Sequence, residues 1–193
     1  MEENREKEII NDPAAWVDEY GDYLYKCALF YVKRPEDAEE IVQDALMSAY
    51  RARDSYQGKA SVKTWLRTIL KNKALDYFRK TGRQKKVFAE VSDENQDIGM
   101  FGAFERWKES IPGWGKDPEA ALADKRLYEV LNQCMQKLSE RQRVIFTMRT
   151  IEGYPIGDIC EKLSISSSNA SVILYRARSQ LRACVEKNWY LSS

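Results

Sequence analysis

The strongest constraint on what this chain can fold into is where its helical periodicity stops. Apolar residues step by three and four along two stretches, and between residues 82 and 118 that period fails, broken by Gly82, Gly99, Gly102, Pro112, Gly113, Gly115 and Pro118. No convincing alternation of apolar and polar residues offers a candidate strand. The pattern predicts an all-α protein with two small helical domains, at 12–81 and 119–193, an N-terminal tail at 1–11, and a flexible, mostly irregular linker at 82–118. The linker carries Phe101, Phe104, Trp107 and Trp114. Aromatics in such a segment dock either on the chain's own domains or in a partner's groove.

In the first half, an aromatic-rich helix is expected from Trp16 to Val32, burying Val17, Tyr20, Leu24, Cys27, Ala28 and Tyr31. Pro35 fits the first turn of a second helix, where its missing N–H leaves nothing unpaired. That helix has an apolar stripe of Ala38, Ile41, Val42, Ala45, Leu46, Ala49 and Tyr50, opposite a polar face of Asp37, Glu40, Gln43, Asp44 and Ser48. After a polar loop at 54–59, a third helix turns Val62, Trp65, Leu66, Ile69, Leu70, Ala74, Tyr77 and Phe78 inward. Its outer face carries Lys63, Arg67 and Lys71, with Lys73, Arg79 and Lys80 beside them.

In the second half, Leu127, Val130, Leu131, Cys134, Met135 and Leu138 mark one helix, and Ser139 with Gln142 forms the capping-box pattern that opens the next. The latter carries Val144, Ile145, Met148 and Ile151 and stops at Gly153. Pro155 opens a short helix with Ile156, Ile159, Cys160 and Leu163. A tight turn at Ser164, Ile165 and Ser166 leads into the last helix, for which Ser166 is the expected N-cap. That helix is expected to bury Ala170, Leu174, Ala177, Leu181 and Cys184 and to display Asn169, Ser171, Val172, Tyr175, Arg176, Arg178 and Arg182. A short helix, a three-residue turn and a longer helix with polar and basic residues outward is a helix-turn-helix, which places short side chains at base edges and Arg at phosphates. Asn169 has the chemistry for a bidentate contact to adenine.

The net charge of +1 conceals a segregation. Residues 1–50 hold 5 basic and 13 acidic side chains, and residues 51–90 hold 12 and 3. Residues 91–124 hold 3 and 8, and residues 125–193 hold 11 and 6. Two separated basic blocks suit a chain that meets polyanion at two places. In the first of them Lys59, Lys63, Arg67, Lys71 and Lys73 interleave with Tyr56, Trp65 and Tyr77, the mixture of cations and ring faces that holds an unpaired strand. The spacing of Trp65 and Tyr77 suits the core, which leaves Tyr56 as the better candidate for a base contact.

The chain has no His, which excludes imidazole bases and His metal ligands. Its four Cys, at 27, 134, 160 and 184, show no metal-ligand spacing and no disulfide framework, so small core thiols in a reducing compartment are expected. Gly58-Lys59-Ala60 and Gly115-Lys116-Asp117 lack the Ser/Thr and the upstream glycine of a phosphate loop. No cofactor, metal or small-molecule substrate is expected. The Glu-rich start, Met1 to Ile10, carries no secretory signal pattern, and no run is long enough to enter a membrane. A cytoplasmic protein follows as the expectation.

Asp37-Ala-Glu-Glu-Ile-Val-Gln-Asp-Ala-Leu-Met-Ser-Ala-Tyr-Arg51, Tyr56-Gln-Gly-Lys-Ala-Ser-Val-Lys-Thr-Trp-Leu66 and Ala74-Leu-Asp-Tyr-Phe-Arg79 resemble domain two of the extracytoplasmic-function bacterial sigma factors. Leu138-Ser-Glu-Arg-Gln-Arg-Val-Ile-Phe146 and Ile165-Ser-Ser-Ser-Asn-Ala-Ser-Val-Ile-Leu-Tyr-Arg-Ala-Arg178 resemble their domain four. The resemblance spans residues 12–187, with the blocks in order.

It implies that Asp37, Glu40, Gln43 and Asp44 dock on the β′ clamp helices of core RNA polymerase, with further contacts to the β subunit. Tyr56, Lys59, Lys63, Trp65, Arg67, Lys71 and Asn72 would capture and open the promoter's minus-ten element, a flipped base being held by the loop. Ser167, Ser168, Asn169, Ser171, Val172, Tyr175, Arg176 and Arg178 would read the minus-thirty-five element as duplex. The linker would thread toward the polymerase's active-site cleft and RNA exit path, and an anti-sigma factor would hold the two domains inactive. Two departures stand out. Ser171 and Ile173 replace basic residues frequent in the first turns of the recognition helix, and the linker is long, although its Trp107 and Trp114 are similar to one subset of the family. The alternative is a helix-turn-helix regulator that binds duplex DNA without joining a polymerase, its N-terminal half serving as a sensor or dimerisation domain.

Overall fold

The computed structural model describes residues 9–80 and 125–191, which fall in two compact units, and no strand occurs among them. The linker expected at 82–118 lies outside the described residues. The first unit is built from α1 (Pro13–Leu29), α2 (Pro35–Ala52), a short 3-10 turn at Arg53–Ser55, and α3 (Val62–Lys80), all three helices packing on one another.

Helix α1 starts and ends three residues earlier than its apolar pattern predicts. Asp12 accepts a hydrogen bond from the Ala14 N–H (3.1 Å) and Pro13 occupies the first turn, so the cap moves the start upstream. Trp16 is thereby turned into the core, its indole N–H donating to the Ile9 carbonyl at 2.7 Å, while Val17 is left 55% exposed rather than buried. Phe30, Tyr31 and Val32 are buried, but as extended and turn residues beyond the helix end. In α2 the stripe from Ala38 through Ala49 faces inward as expected, except that Leu46 is half-buried and Tyr50 stands outside with Met47.

The second unit comprises α4 (Lys125–Lys137), α5 (Glu140–Phe146), a wide turn at Thr147–Ile151, α6 (Ile156–Leu163) and α7 (Ser167–Leu191). The capping box is present: the Gln142 N–H donates to Ser139 Oγ (3.3 Å) and the Ser139 N–H to Gln142 Oε1 (2.9 Å). The α-helical turn of α5 does not reach Ile151. It loosens after Phe146 into i→i+5 hydrogen bonding, with the Glu152 N–H donating to the Thr147 carbonyl (2.9 Å). Helix α7 packs against α4, α5 and α6, with Ala170, Ile173, Leu174, Ala177, Leu181 and Val185 buried.

One connection corrects the sequence reading of the thiols. Cys134 on α4 and Cys184 on α7, 50 residues apart, form a disulfide across the helix pair with Cα atoms 5.7 Å apart. Their spacing carries no pattern because the pairing arises from tertiary packing of two helices. Cys27 is a buried core residue and Cys160 is half-buried, and neither takes part in a disulfide.

Candidate nucleic-acid interface

In the first unit the loop before α3 is held by its own chemistry. The Tyr56 hydroxyl donates to the Ala60 carbonyl across the turn, and Gly58 sits at φ +67°, a left-handed conformation that glycine adopts without strain. Ser61 Oγ then accepts from the Thr64 N–H (3.2 Å) at the start of α3. The Tyr56 ring lies 5.3 Å from that of Trp65, which meets Trp16 edge-on at 6.1 Å. An aromatic stack therefore runs from the core, at Trp16, to the loop, at Tyr56.

Trp65 is half-buried at the middle of that stack, and Tyr77 is a core residue. Lys59 and Asn72 are exposed, whereas Lys63, Arg67 and Lys71 are half-buried. The Lys63 ammonium sits 4.3 Å from the centre of the Tyr23 ring on α1.

On α2, Glu40, Gln43 and Asp44 are exposed as expected, and exposed Met47 and Tyr50 follow them along the helix. Arg53 lies over the Tyr50 ring at 4.3 Å, and its pKa is raised above the ordinary value by the Tyr50 hydroxyl. Asp37 departs from the expectation. It is only 7% exposed, in the first turn of α2, where a carboxylate is favoured by the positive end of the helix dipole. It belongs to the interior and not to the polar face.

In the second unit α6 ends on Ser164 in the left-handed region (φ 56°), and the Ile165 N–H donates back to the Cys160 carbonyl at 3.1 Å. Ser166 Oγ accepts from the Asn169 N–H at 3.2 Å, so Ser166 caps α7 as its sequence position suggests. The turn therefore has helix-turn-helix form. Ser167, Ser168, Ser171, Tyr175 and Arg176 are exposed on α7, and Asn169 and Val172 are half-buried beside them.

Ile173 and Arg178 depart from the expectation, whereas Arg182 is displayed as expected. Ile173 is buried, so it is a core position and not a missing basic contact. Arg182 is exposed but pairs with Glu186 one turn on, at 2.8 Å. Arg178 is half-buried, and its pKa is lowered to about 10 by burial and then by the neighbouring charge of Arg149. Sequence reasoning missed Arg149, which donates to the Tyr154 carbonyl (2.9 Å) in the wide turn. Its partner Arg178 lies 29 positions away, beyond the reach of any periodicity. Two guanidinium groups held near each other favour a shared anion.

Residues 16–84 match the Sigma-70 region 2 family, and residues 128–181 match the Sigma-70, region 4 family. A region 2 unit followed by a region 4 unit defines a sigma factor of the sigma-70 type. The chain is 33% identical over 161 residues to a probable RNA polymerase sigma factor of Haemophilus influenzae, covering 83% of this chain and 82% of that protein. It is 27% identical over 173 residues to the ECF RNA polymerase sigma factor SigX of Bacillus subtilis, covering 88% and 81% of the two chains. A solved sigma factor RpoE, in complex with the anti-sigma factor NepR from Bartonella quintana, is similar at 23% identity and TM-score 0.42, over 90% of this chain and 96% of that one. The chain belongs to the extracytoplasmic-function family of RNA polymerase sigma factors.

Proposed function

We propose that this chain is an alternative sigma factor that binds core RNA polymerase and directs it to particular promoters, contributing specificity and strand opening and no catalysis of its own. The observation that carries this reading is the occurrence, in one chain and in order, of a region 2 unit and a region 4 unit. In this reading residues 12–81 and 119–193 act as separate DNA-binding domains joined by the linker at 82–118.

Each surface then has a task. Exposed Glu40, Gln43 and Asp44 on α2 contact the polymerase clamp, with Asp37 supporting the helix from inside. The basic face of α3, with Lys59, Lys63, Arg67, Lys71 and Asn72, holds the phosphates of the minus-ten strand, and the Tyr56–Trp65 pair takes a base. The start of α7, with Ser167, Ser168, Asn169, Ser171, Val172, Tyr175 and Arg176, reads the minus-thirty-five duplex, while Arg178 with Arg149 faces phosphate. Because Ile173 is buried, that readout rests on short polar side chains and on DNA shape more than on Arg–guanine pairs. The working compartment is the cytoplasm, where polymerase is found, and among the described residues no helix is long and apolar enough to cross a membrane. An anti-sigma protein that holds the two domains together completes the expected set of partners.

The test is reconstitution. Purified chain is mixed with core polymerase, and both co-elution and run-off transcription from promoters mapped after overexpression are measured. Co-elution with promoter-specific transcripts supports the proposal; duplex binding by a protein that never joins core polymerase overturns it in favour of a free-standing regulator.

A further inference from the structure

Nothing in promoter recognition calls for a covalent link between the first and last helices of the second unit. The sulfur environment there is nevertheless specific. Cys134 is buried and Cys184 is half-buried, so Cys184 is the more accessible residue of the two. Asn188, one turn beyond Cys184, donates its side-chain amide to the Cys184 carbonyl at 2.6 Å. The same nitrogen lies 3.4 Å from Cys184 Sγ and 3.8 Å from Cys134 Sγ. A single N–H donor fixed beside both sulfurs stabilises whichever of them becomes a thiolate when the bond opens, and the thiolate is the form that reacts.

We propose that Cys134 and Cys184 form a reversible oxidation site of this sigma factor, taking hydrogen peroxide as oxidant and dithiols as reductant, whose state sets how firmly α4 is held to α7. In the oxidising direction the Cys184 thiolate attacks a peroxide oxygen: an S–O bond forms, the O–O bond breaks and hydroxide leaves, taking up a proton to become water. The Cys134 thiol then attacks the Cys184 sulfenic sulfur, forming the S–S bond and breaking the S–O bond, with a second water as leaving group. Two thiols and one peroxide become one disulfide and two waters. In the reducing direction a dithiol attacks half-buried Cys184, the Cys134 thiolate leaves and is protonated, and the second thiol of the reductant attacks the mixed disulfide, closing its own disulfide and releasing Cys184 as a thiol. Such a link in a reducing compartment is more consistent with redox sensing than with permanent bracing.

The cross-link closes a chain segment of 50 residues and restrains the unfolded second unit accordingly. Oxidation therefore strengthens the unit that carries the helix-turn-helix. The covalent step stands apart from the proposed function; the reducing compartment and the effect on promoter binding rest on that reading.

The full chain is reduced with dithiothreitol, treated with stoichiometric hydrogen peroxide, and analysed by intact mass, tryptic mapping and thermal melting. The expected result is a loss of about 2 Da, linkage of the tryptic peptides 127–137 and 183–187, full reversal by thioredoxin, and a melting transition raised by about 10 °C in the oxidised form. Cys134→Ser is expected to trap Cys184 as a sulfenic acid or a mixed disulfide with glutathione, in protein whose helicity matches the parent. Linkage through Cys27 or Cys160, failure of the 134–184 pair to form, irreversible over-oxidation, or equal melting temperatures for the two forms would overturn the proposal. A chain that forms and breaks this bond but never supports transcription counts against the proposed function alone. One active in transcription whose two thiols never pair counts against this site alone.

Discussion

Arg143 on α5 is 0% exposed, and none of its three guanidinium nitrogens has a hydrogen-bond partner. Burial lowers its pKa to about 10, opposed by the charge of Glu140. Because the folded pKa lies below the unfolded value, the unfolded chain holds the extra proton from about pH 10 up to the ordinary arginine range, and only in that window does this group's contribution to stability rise with pH. Below it the group stays charged in both states, and the fold bears the full penalty, of order 3 kcal/mol. Arg143→Met is therefore expected to raise the melting temperature of the second unit by several degrees, by an amount that is flat from pH 6 to 9; calorimetry across that range checks it. At the start of α7, the end proposed to face DNA, Asn169→Ala is expected to lower preference for the native minus-thirty-five sequence by roughly 5- to 100-fold, leaving nonspecific binding unchanged in a competition assay. Asp37, Ile173 and Arg178 show where single residues escaped sequence reasoning. A carboxylate beside Glu40 looks solvated until the helix dipole gives it an interior site, and the inward or outward turn of Ile173 is set by how α7 sits on its neighbours.

At the scale of elements the sequence was far more legible, because helices are specified locally. Pro35, the Ser139–Gln142 box, the turn after Leu163 and the Ser166 cap all lie where their side-chain chemistry requires. The start of α1 departs from its apolar period because the Asp12–Pro13 cap sets it. The disulfide between α4 and α7 was not legible, since it depends on which two helices pack together. The α3 face, where basic residues and aromatic stack meet, carries its own prediction. Changing Lys63, Arg67 and Lys71 together to Ala is expected to abolish open-complex formation, read by permanganate footprinting, while leaving co-elution with core polymerase intact. Loss of core binding in that variant would place the docking face on α3 and not on α2.

Across the whole molecule the charge balance of 31 basic and 30 acidic residues nearly cancels, yet the order of charge along the chain separates two basic segments, the proposed phosphate-binding surfaces, from two acidic ones. Both basic surfaces release counterions when they bind, so promoter affinity of the assembled polymerase is expected to fall steeply with salt, by roughly 10³-fold or more between 50 and 200 mM. A filter-binding series at several salt concentrations measures the slope, and the triple α3 variant should flatten it by roughly two units. The stack of Trp16, Trp65 and Tyr56 adds a practical consequence. A nucleobase that displaces Tyr56 from Trp65 brings a quencher against an indole whose other neighbour is fixed in the core. With the Tyr56–Trp65 pair taking a base as proposed, promoter capture is expected to change the protein's own emission and its near-ultraviolet circular dichroism, so that strand opening can be followed in real time by light from the unlabelled chain.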